Sequence, residues 1–292
     1  MTRFLALAAI VSLATVAYAP TPRTVYITAT DAKRVALPDL TAADLAVKED
    51  GKTREIVKVE RAVAPLTIAI IVDDNGTGLF RYGIANFIQK LLGKAEFSIS
   101  TVTGQVMRLV DYTSNVQLLS EAVSKINARA STPDGGQLLA GVSEASRELR
   151  KKGAKRPIIL AMTVGGEEHA PIPAHQVLDE LADSGAQLYV ISVAESVLRS
   201  TVQAQKPSDL LEENMNRGEV LGDGARQSGG RHDEIVAAAG VVQGLQTIGD
   251  ELLGQYAVTY MLPEGVKPAD KVSFTLKRKG ALLRAPTRIP EK

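Results

Sequence analysis

Leu66-Thr67-Ile68-Ala69-Ile70-Ile71-Val72-Asp73-Asp74-Asn75-Gly76-Thr77-Gly78 is the stretch whose reading decides the fold. Residues 66–72 are apolar or β-branched without polar alternation, the pattern of a parallel strand buried on both faces. The run stops abruptly in small oxygen-bearing residues and glycines. The strand therefore opens at its carboxyl end into a loop of hard-cation ligands. Ligands of open α/β sheets sit outside that edge.

Outward from this strand, apolar runs alternate with helical periods. Helices are predicted over 80–92, 116–128, 136–152, 174–184 and 235–253, and strands over 96–102, 106–111, 157–162 and 187–193. Such alternation specifies a doubly wound, mostly parallel α/β sheet covered on both faces. The flanks read differently. Residues 24–30, 45–48 and 54–59, and later 256–262 and 272–277, alternate as strands, so both termini are expected to build a small β-rich unit beside the core. The predicted division is a leader at 1–19, a β-rich segment at 20–63, an α/β domain at 64–255 and C-terminal strands at 256–292. A Gly-rich, polar stretch at about 196–232, with Lys206-Pro207-Ser208-Asp209 at one end, is expected to be a flexible excursion.

Composition narrows the classes. Arg3, an apolar run over 4–16 and Ala17-Tyr18-Ala19 describe a secretory signal peptide, although Pro20 is a poor residue after a cut and leaves an uncleaved N-terminal anchor open. A secreted or periplasmic, cell-envelope location follows. None of the 292 residues is cysteine, which excludes disulfides, thiolate metal sites and thiol nucleophiles. A net charge of +1 and 4% aromatics, with no basic run interleaved with rings, argue against a nucleic-acid surface. After the leader no apolar stretch is long enough to span a bilayer.

Four segments together resemble the von Willebrand factor A-related proteins of Acidobacteria and similar bacteria. They are Leu40-Thr41-Ala42-Ala43-Asp44-Leu45-Ala46-Val47-Lys48-Glu49-Asp50-Gly51, the strand from Pro65 to Asp73, Ala186-Gln187-Leu188-Tyr189-Val190-Ile191-Ser192-Val193, and Ser228-Gly229-Gly230 with the run from Leu252 to Tyr260. The resemblance implies a doubly wound α/β domain with a metal-ion-dependent adhesion site. That site takes Asp-x-Ser-x-Ser after the first strand, a Thr from a second loop and an Asp from a third. The metal candidates here are Asp73, Asn75 and Thr77, with two serines changed to Asn and Thr. Gln137 stands where the second-loop Thr belongs, and Val164 where the third-loop Asp belongs. The site therefore reads as degenerate, with no resident cofactor or at most Mg²⁺ or another divalent cation held weakly. The alternative reading gives Asp73, Asn75 and Thr77 to loop and helix-cap hydrogen bonds.

An Asp-x-Asp-x-Thr nucleophile motif of haloacid-dehalogenase-like phosphatases is nearly matched by Asp73–Thr77, and Thr163 mimics that family's strand-ending Thr. Asn75, however, cannot protonate a leaving group. An EF-hand fails because Ile84 stands where a bidentate Glu is needed. His169, His175 and His232 show no metal-ligand spacing with one another, and His232-Asp233-Glu234 reads as the opening of the final helix. The expectation is a non-enzymatic, exported protein–protein interaction module of adhesion or scaffold type. Its partner would be another protein, contacted through loops that include Asp74, Gly76, Gln137, Glu167 and Glu168. A metal-independent structural or assembly protein of the envelope is the alternative.

Overall fold

The computed structural model describes residues 20–126, 136–194 and 210–291. The leader, residues 131–135 of the second loop and Lys206-Pro207-Ser208-Asp209 lie outside the described residues.

Among the described residues the strands form two six-stranded sheets. The first is formed by β4 (Leu66–Asp73), β5 (Ala95–Thr103), β6 (Gln105–Thr113), β7 (Arg156–Thr163), β8 (Gln187–Val193) and β9 (Arg231–Ile235), in the order β6-β5-β4-β7-β8-β9. Only the β5–β6 hairpin is antiparallel. Every residue of β4 is buried, because helices cover both faces. Ile68, Ile70 and Val72 pack against α1 (Arg81–Leu91), α2 (Val116–Lys125) and α6 (Ala239–Leu253). Ala69 and Ile71 face the opposite way, toward α3 (Leu138–Lys152) and α4 (Ala174–Ser184). Strand alternation thus divides one apolar run between two cores.

The second sheet is antiparallel. Strands β1 (Thr21–Asp31), β2 (Leu45–Glu49), β3 (Lys52–Arg61), β10 (Tyr256–Leu262), β11 (Val272–Leu276) and β12 (Ala281–Arg284) run in the order β11-β2-β3-β10-β1-β12. Tyr256 and Tyr260 share one face of β10 and belong to its apolar core with Ile27, Val47 and Val258.

Two segments depart from the sequence reading. His232-Asp233-Glu234 forms the edge strand β9 rather than a helix start, and α6 begins only at Ala239. The cause lies at Gly230, where a Cβ would lie 2.0 Å from the Leu188 carbonyl oxygen. Only glycine lets the chain approach β8 closely enough for Arg231 to pair with Tyr189. In the expected excursion, residues from 211 onward are helical instead. Helix α5 (Leu211–Glu219) continues through a π-helical turn at Val220–Gly224, which packs on α4 and β8 and buries Val220 and Leu221. Val220 and Leu221 are adjacent rather than helically spaced and sit among charged residues and glycines, which hides this packing from a periodicity search.

Candidate functional site

Parallel pairing brings the last residue of β4, Asp73, opposite the last residue of β7, Thr163. The Thr163 hydroxyl donates to Asp73 Oδ2 at 2.8 Å and accepts from the Gly165 amide at 2.9 Å. Helix α5 brings the third member. Arg217 Nη2 lies 3.0 Å from Asp73 Oδ2 and 2.6 Å from Thr163 Oγ1, while Nη1 donates to the Gly166 carbonyl at 2.7 Å. All three side chains are buried. Burial pushes the Asp73 carboxyl above the usual carboxylate range, against the opposing pull of the Arg217 charge and the Thr163 hydroxyl.

Helix α5 is anchored by neighbours of Arg217 as well. Asn214 Oδ1 accepts the Glu168 amide at 2.9 Å, and Asn216 Oδ1 accepts the Ala174 amide at 3.2 Å. Three side chains of this nine-residue helix therefore tie it to the loop after β7 and to the start of α4.

The loop after β4 is built by Asp74. Its carboxylate accepts the Gly76 amide at 3.0 Å and the Gly78 amide at 2.8 Å. Asn75, Gly76 and Gly78 all take positive φ, which Asn and Gly tolerate best. Thr77 Oγ1 accepts the Leu79 amide at 3.2 Å, a local turn before α1, whose N-cap Phe80 has no side-chain cap. Asn75 and Thr77 are exposed, whereas Asp73 is buried beneath them.

Of the partner-loop candidates, Gly76, Gln137 and Glu167 are half-buried at this edge, whereas Asp74 and Glu168 face inward. Glu168 is fully buried, and its carboxylate accepts the Ala170 amide at 3.1 Å and the Leu139 amide at 3.3 Å. It thereby satisfies a backbone donor in the first turn of α3, a task Gln137 at the N-cap leaves undone. Burial pushes its pKa up to about 7, only partly offset by those two amides and Arg217. Gly136 bridges to Glu168 in the second loop and lies close to Asp73, where a Cβ would come 3.4 Å from Oδ1.

These residues do not fit a hard divalent cation. The carboxylate that would hold it already carries a guanidinium, and a second cation beside Arg217 would meet Coulomb repulsion in a poorly solvated site. Val164, in the third-ligand position, is a buried apolar side chain. Among the described residues, no three His, Cys, Asp or Glu side chains converge as a metal-binding group. The phosphatase arrangement fares no better, since the buried Asp73 faces an arginine and an exposed Asn75 stands in the acid position.

Arg217 and Thr163 are the side chains at this edge that sequence reasoning missed as a pair. Only a short amphipathic helix around Met215 could have signalled the first, and nothing local signals Thr163, 54 residues away, or Asp73, 144 residues away, as its partners.

No family model matches the chain, and no curated protein does. Solved structures with similar folds include BatB, a conserved hypothetical protein from Bacteroides thetaiotaomicron, with 13% identity, a TM-score of 0.45 and 64% of this chain matched to 98% of that one. The vWF domain of the type V pili tip protein Mfa5 from Porphyromonas gingivalis matches 64% of this chain with 95% of its own, at 10% identity and a TM-score of 0.44. Proximal thread matrix protein 1 from the mussel byssus, solved with zinc in its MIDAS motif, matches at 10% identity and a TM-score of 0.47. That match covers 70% of this chain and about half, 49%, of the byssus protein. None of these likenesses assigns a role to a residue of this chain.

Proposed function

We propose that the chain is an exported, non-enzymatic protein–protein interaction module of von Willebrand A type, working through the carboxyl edge of its parallel sheet without a gating metal. The observation that carries this reading is the Arg217 guanidinium seated on Asp73 and Thr163. An internal side chain supplies the positive charge that a divalent ion would bring, and it stays bound at any metal concentration. Asn75, Thr77, Gln137 and Glu167 then form the contact surface, with Asp73, Asp74 and Glu168 as its buried supports. Any Mg²⁺ at Asp73, Asn75 and Thr77 would be weakly held, since it competes with a tethered cation. Residues 1–19 act as the export signal, residues 64–255 form the interaction domain, and the segments at 20–63 and 256–292 support it.

Capture of envelope proteins on the immobilised chain, in EDTA and in magnesium, tests the reading. Capture should be the same in both buffers. It should be lost with Thr77→Arg or Glu167→Arg and kept with the remote Lys58→Glu. A partner that needs magnesium, or one indifferent to both loop changes, would refute it.

A further inference from the structure

A cavity of about 270 Å³ lies at the other end of the molecule, between β1, the amino end of β7, the end of α4 and the tail at 286–290. Its wall holds four cationic side chains, Arg23, Lys155, Arg156 and Arg288, and no carboxylate. Two of the four are neutralised from behind the wall. Arg23 pairs with Glu49, and Arg288 with Asp179 at 2.6 Å and Asp270 at 3.1 Å. Arg156 is different. It is 5% exposed, and its guanidinium meets only neutral partners, the carbonyls of Ala62, Ala64 and Leu252, Gln255 Oε1 and the ring of Tyr26, whose centroid is 5.2 Å away. Its buried Nε has no partner among the described residues, and no carboxylate there forms an ion pair with it. Lys155, next to it, is exposed at the rim and likewise forms no ion pair among the described residues.

A buried cation without a counter-ion is costly, and an anion brought beside it recovers that cost. The rest of the wall constrains what the anion can be. Val25, Ile158, Leu178, Leu181 and Ile289 make much of the lining apolar, and a dianion would forfeit more hydration there than one uncompensated buried charge returns. Gln187, Gln227 and Ser228 add neutral polar groups to the same wall. We infer that this cavity is a binding site for a small organic monocarboxylate, with the carboxylate toward Arg156 and Lys155 and an apolar body against the aliphatic wall. The inference is independent of the carboxyl-edge reading, since none of these residues belongs to it.

The test is an NMR titration of the methyl-labelled full chain with acetate, hexanoate and benzoate, with benzamide and inorganic phosphate in parallel. Benzoate or hexanoate should give saturable, one-to-one shifts at Ile158, Leu178, Leu181 and Ile289. Benzamide should bind at least about tenfold more weakly, as expected for the loss of one charge-assisted contact. Lys155→Glu should weaken the carboxylate several-fold, and Ala182→Phe, which fills the cavity from α4, should abolish the shifts while the chain still unfolds cooperatively. Four outcomes would overturn the inference. They are no response to any monocarboxylate, equal response to benzamide, tighter binding of phosphate than of every monocarboxylate, or carboxylate shifts that survive Ala182→Phe in a folded chain.

Discussion

Strand β7 begins at Arg156 and ends at Thr163, so its two ends lie roughly 23 Å apart at the usual rise per residue. Each end buries an arginine, and the two are treated in opposite ways. At the carboxyl end Arg217 meets a buried carboxylate and the charges cancel. At the amino end Arg156 meets carbonyls and an amide, and its charge stands uncancelled. One site is closed by an internal ion pair and the other is electrostatically open. We propose the first as a fixed recognition surface and the second as the seat of an anionic ligand.

The sharpest way to break this contrast is to remove each arginine. Arg217→Met leaves the Asp73 carboxylate buried and alone, which should cost about 3–5 kcal/mol in denaturant unfolding. Asp73→Ala should cost a similar amount. The double variant should cost far less than the sum, because neither charge is then stranded. Arg156→Met leaves only neutral acceptors, the carbonyls of Ala62, Ala64 and Leu252 and Gln255 Oε1, without their donor, at about 1–3 kcal/mol. If the two arginine deletions cost the same, or if the Asp73 and Arg217 effects simply add, the contrast fails.

A pH scan sharpens the account of the carboxyl end. Glu168 has a folded pKa of about 7 against an ordinary 4.5. The unfolded chain releases this proton at lower pH than the folded one. Stability from this group is therefore fully present below pH 4.5, is lost as pH rises toward 7, and stays flat above. The loss across that window is on the order of 3 kcal/mol for so buried a carboxyl. Urea unfolding at pH 4.5 to 7.5 should show this slope in the parent and a shallower one in Glu168→Gln, where the raised Asp73 carboxyl still contributes in the same direction. Parallel curves would show that Glu168 titrates as an ordinary surface acid.

The two ends also differ in how far they can be read from sequence. The strand at 66–73 and its loop announce themselves, because burial on both faces demands an unbroken apolar run and the turn demands Asn and Gly at positive φ. Helix Ala174–Ser184 was equally legible, with an apolar stripe and a Gly185 cap. Arg217 was not, because an ion pair across 144 residues leaves no periodic trace and its helix buries little apolar surface. Glu168 was obscured for a related reason. Gly165-Gly166-Glu167-Glu168-His169 reads as a solvated turn, and only the packing of α3 and α5 over it makes one of its two acids a buried cap. Edge strand β9 carries few apolar residues, being covered on one side only.

The central claim is that Arg217 holds the Asp73 cradle in place of a metal ion. Calorimetric titration of the full chain with Mg²⁺ and Mn²⁺, beside thermal unfolding in EDTA and in millimolar metal, tests it most directly. The expected result is no saturable heat and coincident unfolding curves. A saturable one-to-one isotherm that Asp73→Ala abolishes would contradict it.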